Sequence, residues 1–197
     1  MIERLDYKVI TDLVASGARV LDLGCGDGEL LALLRDRKQT RGMGIELDEK
    51  AIYACVEKGL TVVHGDIDHE LADYADQRFD YVILYESLQQ VLHPEKVILE
   101  ALRVGRKVIV GIPNFCQLYA RYQICFRGKV PVTNELPYQW YDTPNLRFLS
   151  LKDFRLFCRK RHITIAREIA ITKNAHVTFF PNVFANIGIF LLSKEQR

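Results

Sequence analysis

The chain has 197 residues, 49% hydrophobic and 26% charged, with a formal net charge of +2. A chain of this length buries roughly 70–75% of the surface its unfolded form exposes, so one domain spanning 1–197 is expected to fold without staples. The near-neutral charge argues against a dedicated nucleic-acid binder, which carries a strong basic excess on one face. Cys25, Cys55, Cys116, Cys125 and Cys158 show no C-x-x-C spacing, a pattern that favours free thiols in a reducing cytoplasm. The first residues lack the apolar core of a signal peptide, and no apolar run reaches the roughly 18–20 residues that span a bilayer. The expectation is a cytoplasmic protein without membrane or nucleic-acid partners. The five histidines are scattered without metal-ligand spacing, so no metal is expected.

Residues 5–15 place apolar side chains at helical spacing, and 19–23 (R-V-L-D-L) form a short apolar strand that ends at Gly24. A helix over 28–36 follows, then a strand at 42–47, a helix through Ile52, Cys55 and Val56, and a strand at 60–64. A fourth strand covers 79–85, a helix opens with Pro94 and runs to Val104, and a fifth strand covers 106–112. These strands are continuously rather than alternately apolar, which predicts a mainly parallel sheet with helices on both faces, a three-layer α/β architecture. Beyond Ile112 the composition shifts to proline and aromatics. Ser150-Leu151-Lys152-Asp153 resembles a capping box for a helix through Phe154, Phe157 and Cys158. Residues 163–173 and 184–193 read as two late strands.

The stretch V-L-D-L-G-C-G-D-G-E-L-L, residues 20–31, carries the chemistry. Gly24, Gly26 and Gly28 allow a tight turn and close approach of a ligand to the main chain, and the following helix offers unpaired N–H groups. Dinucleotides and S-adenosylmethionine both suit such a turn. A dinucleotide turn reads G-x-G-x-x-G, and here Asp22 and Asp27 would repel its pyrophosphate. S-adenosylmethionine presents a cationic amino group and sulfonium that Asp22 attracts. Cys25 is a small apolar residue beside that ligand. Glu46, about twenty residues on at a strand end, suits the ribose hydroxyls. Gly65-Asp66-Ile67, at the next strand end, suits the adenine edge, with Leu47 and Ile67 closing on its faces. Tyr85 and Glu86 end the fourth strand as pocket residues. Where a titrating base is expected the chain has Gln89 and Gln90, and His93 belongs to a turn, so no catalytic residue is assigned.

The runs V-L-D-L-G-C-G-D-G, G-I-E-L-D and H-G-D-I resemble the class I S-adenosylmethionine-dependent methyltransferases over residues 19 to about 112. That resemblance implies a Rossmann-like, seven-stranded, mostly parallel sheet ending in an antiparallel hairpin. Over nearly the whole chain, L-L-A-L-L-R-D, F-D-Y-V-I-L, L-R-V-G-R-K, P-N-F and P-V-T-N-E-L-P-Y-Q-W-Y-D-T-P-N-L-R resemble the methionine-biosynthesis protein MetW family. What this implies is a protein that holds S-adenosylmethionine or S-adenosylhomocysteine and serves as partner and activator of homoserine O-acyltransferase. A catalytically active small-molecule methyltransferase is the alternative. The aromatic-rich segment 113–148 carries Phe115, Leu118, Tyr119, Tyr122, Cys125 and Phe126 at roughly helical spacing, then Tyr138, Trp140 and Tyr141. Core packing, a partner surface and a lid over an acceptor pocket all remain open readings of it.

Overall fold

The computed structural model describes residues 4–194. Five strands pair in parallel: β1 (Arg19–Leu23), β2 (Arg41–Glu46), β3 (Thr61–His64), β4 (Phe79–Tyr85) and β5 (Gly105–Pro113). Two antiparallel strands, β6 (Ile163–Ile171) and β7 (Ile187–Lys194), complete the sheet. β7 slots between β5 and β6, and the order is β3-β2-β1-β4-β5-β7-β6. The fold is the mostly parallel seven-stranded α/β sheet with an antiparallel end that the sequence predicts.

Successive strand side chains point to opposite faces, and here each face is covered. On one side Val20, Tyr81, Ile83, Ile109 and Ile189 pack beneath α1 (Leu5–Leu13), α2 (Glu29–Lys38) and Cys55 of α3 (Glu49–Glu57). On the other, Leu21, Leu23, Val82, Leu84, Val108, Val110 and Phe190 pack beneath α4 (Pro94–Val104) and α6 (Leu151–Lys160). Both faces of β1, β4 and β5 are therefore apolar, which is why their sequences do not alternate.

The last strand begins later than its sequence suggests. Pro181 opens a short helix, α7 (Pro181–Phe184), in place of the first residue expected in strand, and β6 stops at Ile171 rather than 173. Asn186 donates its amide hydrogen to Ile171 O, closing the connection just before β7 starts. The aromatic segment contains α5 (Leu118–Arg127), which buries only Ala120 and Gln123. It is anchored by Asn114, which is 1% exposed and donates through Nδ2 to Ala185 O at 2.9 Å. Core packing is thus not the role of its aromatics: Tyr119, Tyr122, Phe126, Trp140 and Tyr141 are all exposed. At the sheet's far edge, β6 carries a register shift between Ile165 and Arg167.

The capping box at α6 is complete. Ser150 Oγ accepts from Asp153 N at 3.2 Å, and Asp153 Oδ2 accepts from Ser150 N at 3.2 Å. Replacing Ser150 by Ala leaves the Asp153 amide without its acceptor and lowers stability by about 1 kcal/mol. A reduced urea midpoint with an unchanged slope is the expected readout.

Candidate functional site

The glycine turn leaves β1 in the left-handed region, with φ of 75° at Gly24, 54° at Gly26 and 75° at Gly28. The amides of Gly24 and Cys25 donate to Ile45 O at 2.8 and 3.2 Å, which ties the turn to β2. The three glycines do different work. A Cβ on Gly24 would lie 2.9 Å from Ser87 Cβ, whereas one on Gly26 would meet nothing within 4 Å. Gly26 therefore opens onto the cleft above the strand ends. Gly28 faces the protein: a Cβ there would press within 2.4 Å of Leu60 and 2.8 Å of Cys55 Sγ. It caps α2 and packs that helix, and it does not line the cleft.

Four acids sit around the turn in distinct states. Glu46 bridges it to β2. Its Oε2 accepts from Gly26 N at 2.8 Å, and its Oε1 accepts from Leu47 N and Asp48 N at 2.7 and 2.9 Å. Asp22 is buried, and no hydrogen-bond donor among the described residues reaches its carboxylate. Burial, with the charge of Glu46 second, pushes it up to about 7. Asp27 instead pairs outward with Lys58 Nζ at 2.8 Å, which holds its carboxyl below the usual range. Asp66 Oδ1 accepts from Asp68 N at 2.9 Å, fixing the loop after β3. Cys25 borders the cleft, but its Sγ lies 4.0 Å from Cys55 Sγ, and burial pushes the thiol up, away from nucleophile chemistry.

The cleft has two lobes that meet at Gly24, Gly26, Glu86 and Gln90. One, about 390 Å³, is lined by Glu46, Leu47, Gly65, Asp66 and Ile67. The other, about 350 Å³, is lined by Asp22, Cys25, Asp27, Tyr85 and Glu86. The cleft thus gathers every residue singled out in the sequence except Gly28. Leu47 is 63% exposed and stands at the rim. Burial pushes Glu86 up to about 7 against the pull of Arg4, with Asp6 and Glu135 adding to the rise.

Residues that sequence reasoning passed over complete the walls. Tyr7 of α1 covers the second lobe and meets Tyr85 edge-on, with centroids 5.9 Å apart. The Tyr85 hydroxyl donates to Asp6, which also takes Arg4 Nη2 at 2.6 Å. Burial raises Asp6, but these two donors outweigh it and hold the carboxyl low. Ser87 lines the first lobe with a buried Oγ that has no partner among the described residues. Asn134, Glu135, Tyr138 and Asn145 close the second lobe from the aromatic segment, which is held down by the Leu146 and Arg147 amides donating to Gln89 O. Tyr85 and Glu86 mark the strand end in sequence, but contacts from residue 7 or 138 leave no local signal. His93 caps α4 and donates its amide to Asp68, as a turn residue does.

An acid awaiting a cation, a carboxylate fixed beside an open glycine and an unpartnered hydroxyl suit a ligand with a cationic end and a polyhydroxylated body. Among the described residues, no group of three or more His, Cys, Asp or Glu is placed to hold a metal ion. No helix among them is long and apolar enough to cross a membrane.

Comparison with known proteins agrees with this geometry. The family "Methionine biosynthesis protein MetW" matches residues 4–192. The chain is 36% identical to the "Bifunctional methionine biosynthesis protein MetXA/MetW" of Rhodopirellula baltica over 98% of its own length. It spans 33% of that relative. It is 27% identical to a ubiquinone biosynthesis O-methyltransferase of Pseudomonas fluorescens, over 91% of this chain and 80% of that protein. In structure it resembles an S-adenosylmethionine-dependent methyltransferase of Thermotoga maritima described as a possible histamine N-methyltransferase. The TM-score is 0.68 at 17% identity, covering 97% of this chain and 88% of that one. With a class I methyltransferase fold and a match across nearly its whole length, the chain belongs to the MetW family of methionine biosynthesis proteins.

Proposed function

We propose that this cleft binds S-adenosylmethionine or S-adenosylhomocysteine and that the protein is a partner and activator of homoserine O-acyltransferase in methionine synthesis. The observation that carries the partnership is the Rhodopirellula relative, which holds a counterpart of this chain in one polypeptide under the name MetXA/MetW. When bound, S-adenosylmethionine supplies an activated methyl group and a cationic amino-acid end. Asp22 takes the cationic end, because an ammonium beside it offsets the burial that keeps it protonated. Glu46, already aimed by Gly26 N, accepts from the ribose hydroxyls. Asp66 receives the adenine amine, and Leu47 and Ile67 close on the ring. Gly26 lets the ligand approach the main chain closely, since nothing crowds that position.

A second reading, methyl transfer to a small molecule, is favoured by Glu86. A carboxyl held near 7 at the junction of both lobes is matched to general-base work at neutral pH. Under this reading labelled methyl appears in an acceptor, and Glu86→Gln lowers kcat by about 100-fold or more while ligand affinity is kept. No transfer across a broad acceptor panel removes it.

The decisive experiment for the first reading is the initial rate of homoserine O-acyltransferase from the same organism, with and without this protein and with and without S-adenosylmethionine. The rate rises on adding the protein; no change in any arm overturns the partnership. The nucleotide arm shifts the rate only if the ligand binds free and complexed forms with different affinity. Glu46→Ala weakens S-adenosylmethionine binding by about 10- to 100-fold in calorimetry, as expected for losing hydrogen bonds to a charged group. Unchanged affinity places the ligand elsewhere. The Asp22 assignment has its own test, in the absence of nucleotide. Its folded pKa lies above the unfolded value, so the folded chain holds a proton that the unfolded chain has released between about pH 4 and pH 7. The stability from that proton is complete at low pH and is lost as pH rises through 7. Asp22→Asn therefore matches the parent near pH 3 and exceeds it in thermal stability near pH 8.5, the gap opening between about pH 4 and pH 7.

A further inference from the structure

An aromatic face remains that neither lobe of the cleft uses. Along α5, Tyr119, Tyr122 and Phe126 are 51%, 47% and 80% exposed, with neighbouring ring centroids 6.4 and 5.6 Å apart. Residues flanking this helix, Phe115 and Val130, join Trp140 and Phe148 around an apolar groove of about 240 Å³. Trp140 is 72% and Phe148 64% exposed. Each such ring carries roughly 150–250 Å² of surface, so the three adjoining α5 rings, about half or more exposed, alone present a few hundred Å² of apolar patch, a size that marks interaction surfaces. The α5 side of the rim is cationic: Arg121, Arg127 and Lys129 lie on or just after the helix with no acid from Cys116 to Asn134, while Glu135 and Asp142 adjoin the groove residues Leu136 and Thr143. Aromatic rings and arginine are the side chains that dominate the energy of protein interfaces. Tyr138 and Asn145 line both this groove and the second lobe of the cleft, so the face borders the ligand site directly.

We propose that the exposed face of α5, with the Trp140–Phe148 groove, is the surface on which homoserine O-acyltransferase docks. This rests on the partnership proposed above. The Rhodopirellula relative commits the occupant: a counterpart of this chain makes up a third of a longer polypeptide, so it works tethered to a second, larger protein part rather than alone. The matching surface on the acyltransferase is apolar with an acidic border, which complements the cationic α5 side of the rim.

The test measures the dissociation constant of purified acyltransferase from the same organism for four forms of this chain. These are the parent, Tyr122→Asp/Phe126→Asp, the milder Tyr122→Ser/Phe126→Ser, and Tyr53→Asp. Tyr53 is 68% exposed on α3, a helix beside the opposite end of the sheet, and serves as the control. Urea midpoints and nucleotide affinity of each variant establish that it is folded, and the serine pair stands in if the aspartates disturb folding. The parent binds, the α5 variants bind at least about thirty-fold more weakly, and the α3 variant binds as the parent does. Parent-like binding by a folded α5 variant overturns the docking assignment and leaves the partnership standing. No binding by the parent overturns both. If size measurements show that the parent self-associates through α5 and acyltransferase binding is insensitive to the substitutions, the face belongs to a second copy of this chain and the assignment fails.

Discussion

One carboxylate joins the parts of the cleft. Glu46, at the end of β2, accepts the Gly26 amide from the turn after β1 and two amides of its own following loop. Its backbone carbonyl in turn accepts Gly65 N at the end of β3. Three consecutive strand ends are thereby held at fixed spacing, and the left-handed turn keeps its shape without help from a ligand. The same carboxylate has a cost. Its charge reinforces the effect of burial on Asp22, on the neighbouring strand β1, and helps push that carboxyl up to about 7. The molecule thus holds a pair of acids in tension, and a cation of the right size relieves it.

Much of this was legible in the sequence because it depends on local pattern. Strands buried on both faces must be apolar throughout, so β1, β4 and β5 announce a covered parallel sheet. Acids at Asp22, Glu46 and Asp66 follow from strand ends that the glycines and apolar runs mark out. Other features depend on contacts that no local pattern encodes. Gly24, Gly26 and Gly28 look alike in sequence, yet only their surroundings tell a ligand-facing glycine from one that packs a helix. Tyr7 reaches the cleft because α1 lies over the end of β4, a pairing across 79 residues for Asp6 and Tyr85. Helical spacing shows that the α5 aromatics share a face. It is silent on whether that face meets a core or water, and both readings fit the same period. The start of β7 was misread because apolar residues near Phe184 suit a strand as well as the short helix that Pro181 opens.

The fold alone does not decide what the cleft is for, since one scaffold hosts unrelated activities through the side chains placed on it. Here those side chains divide into two sets. Glu46, Leu47 and Asp66 line one lobe of the cleft, and Asp22 stands in the other. Glu86, Gln89, Asn134 and Glu135 form a polar chamber beside it. The chamber is roofed by the same segment whose outer side carries the aromatic groove. Tyr138 and Asn145 line both cavities, so any change in how that segment sits alters the two together.

The far edge of the sheet bears on how such a chain avoids edge-to-edge pairing. β6 is the outermost strand: residues 176–177 pair with its C-terminal end, the extra residue between Ile165 and Arg167 breaks its ladder, and Arg167 and Glu168 are exposed along it. Arg155 of α6 clasps Glu168 at 2.8 Å, placing a charged clamp over the strand. At the opposite edge β3 is only four residues long. Neither border is a template on which further strands can grow. Aromatic side chains displayed on a helix give contacts of limited extent, whereas an open sheet edge propagates without end. The exposed aromatic face of α5 therefore stands on an element whose contacts are limited in extent, apart from both sheet edges.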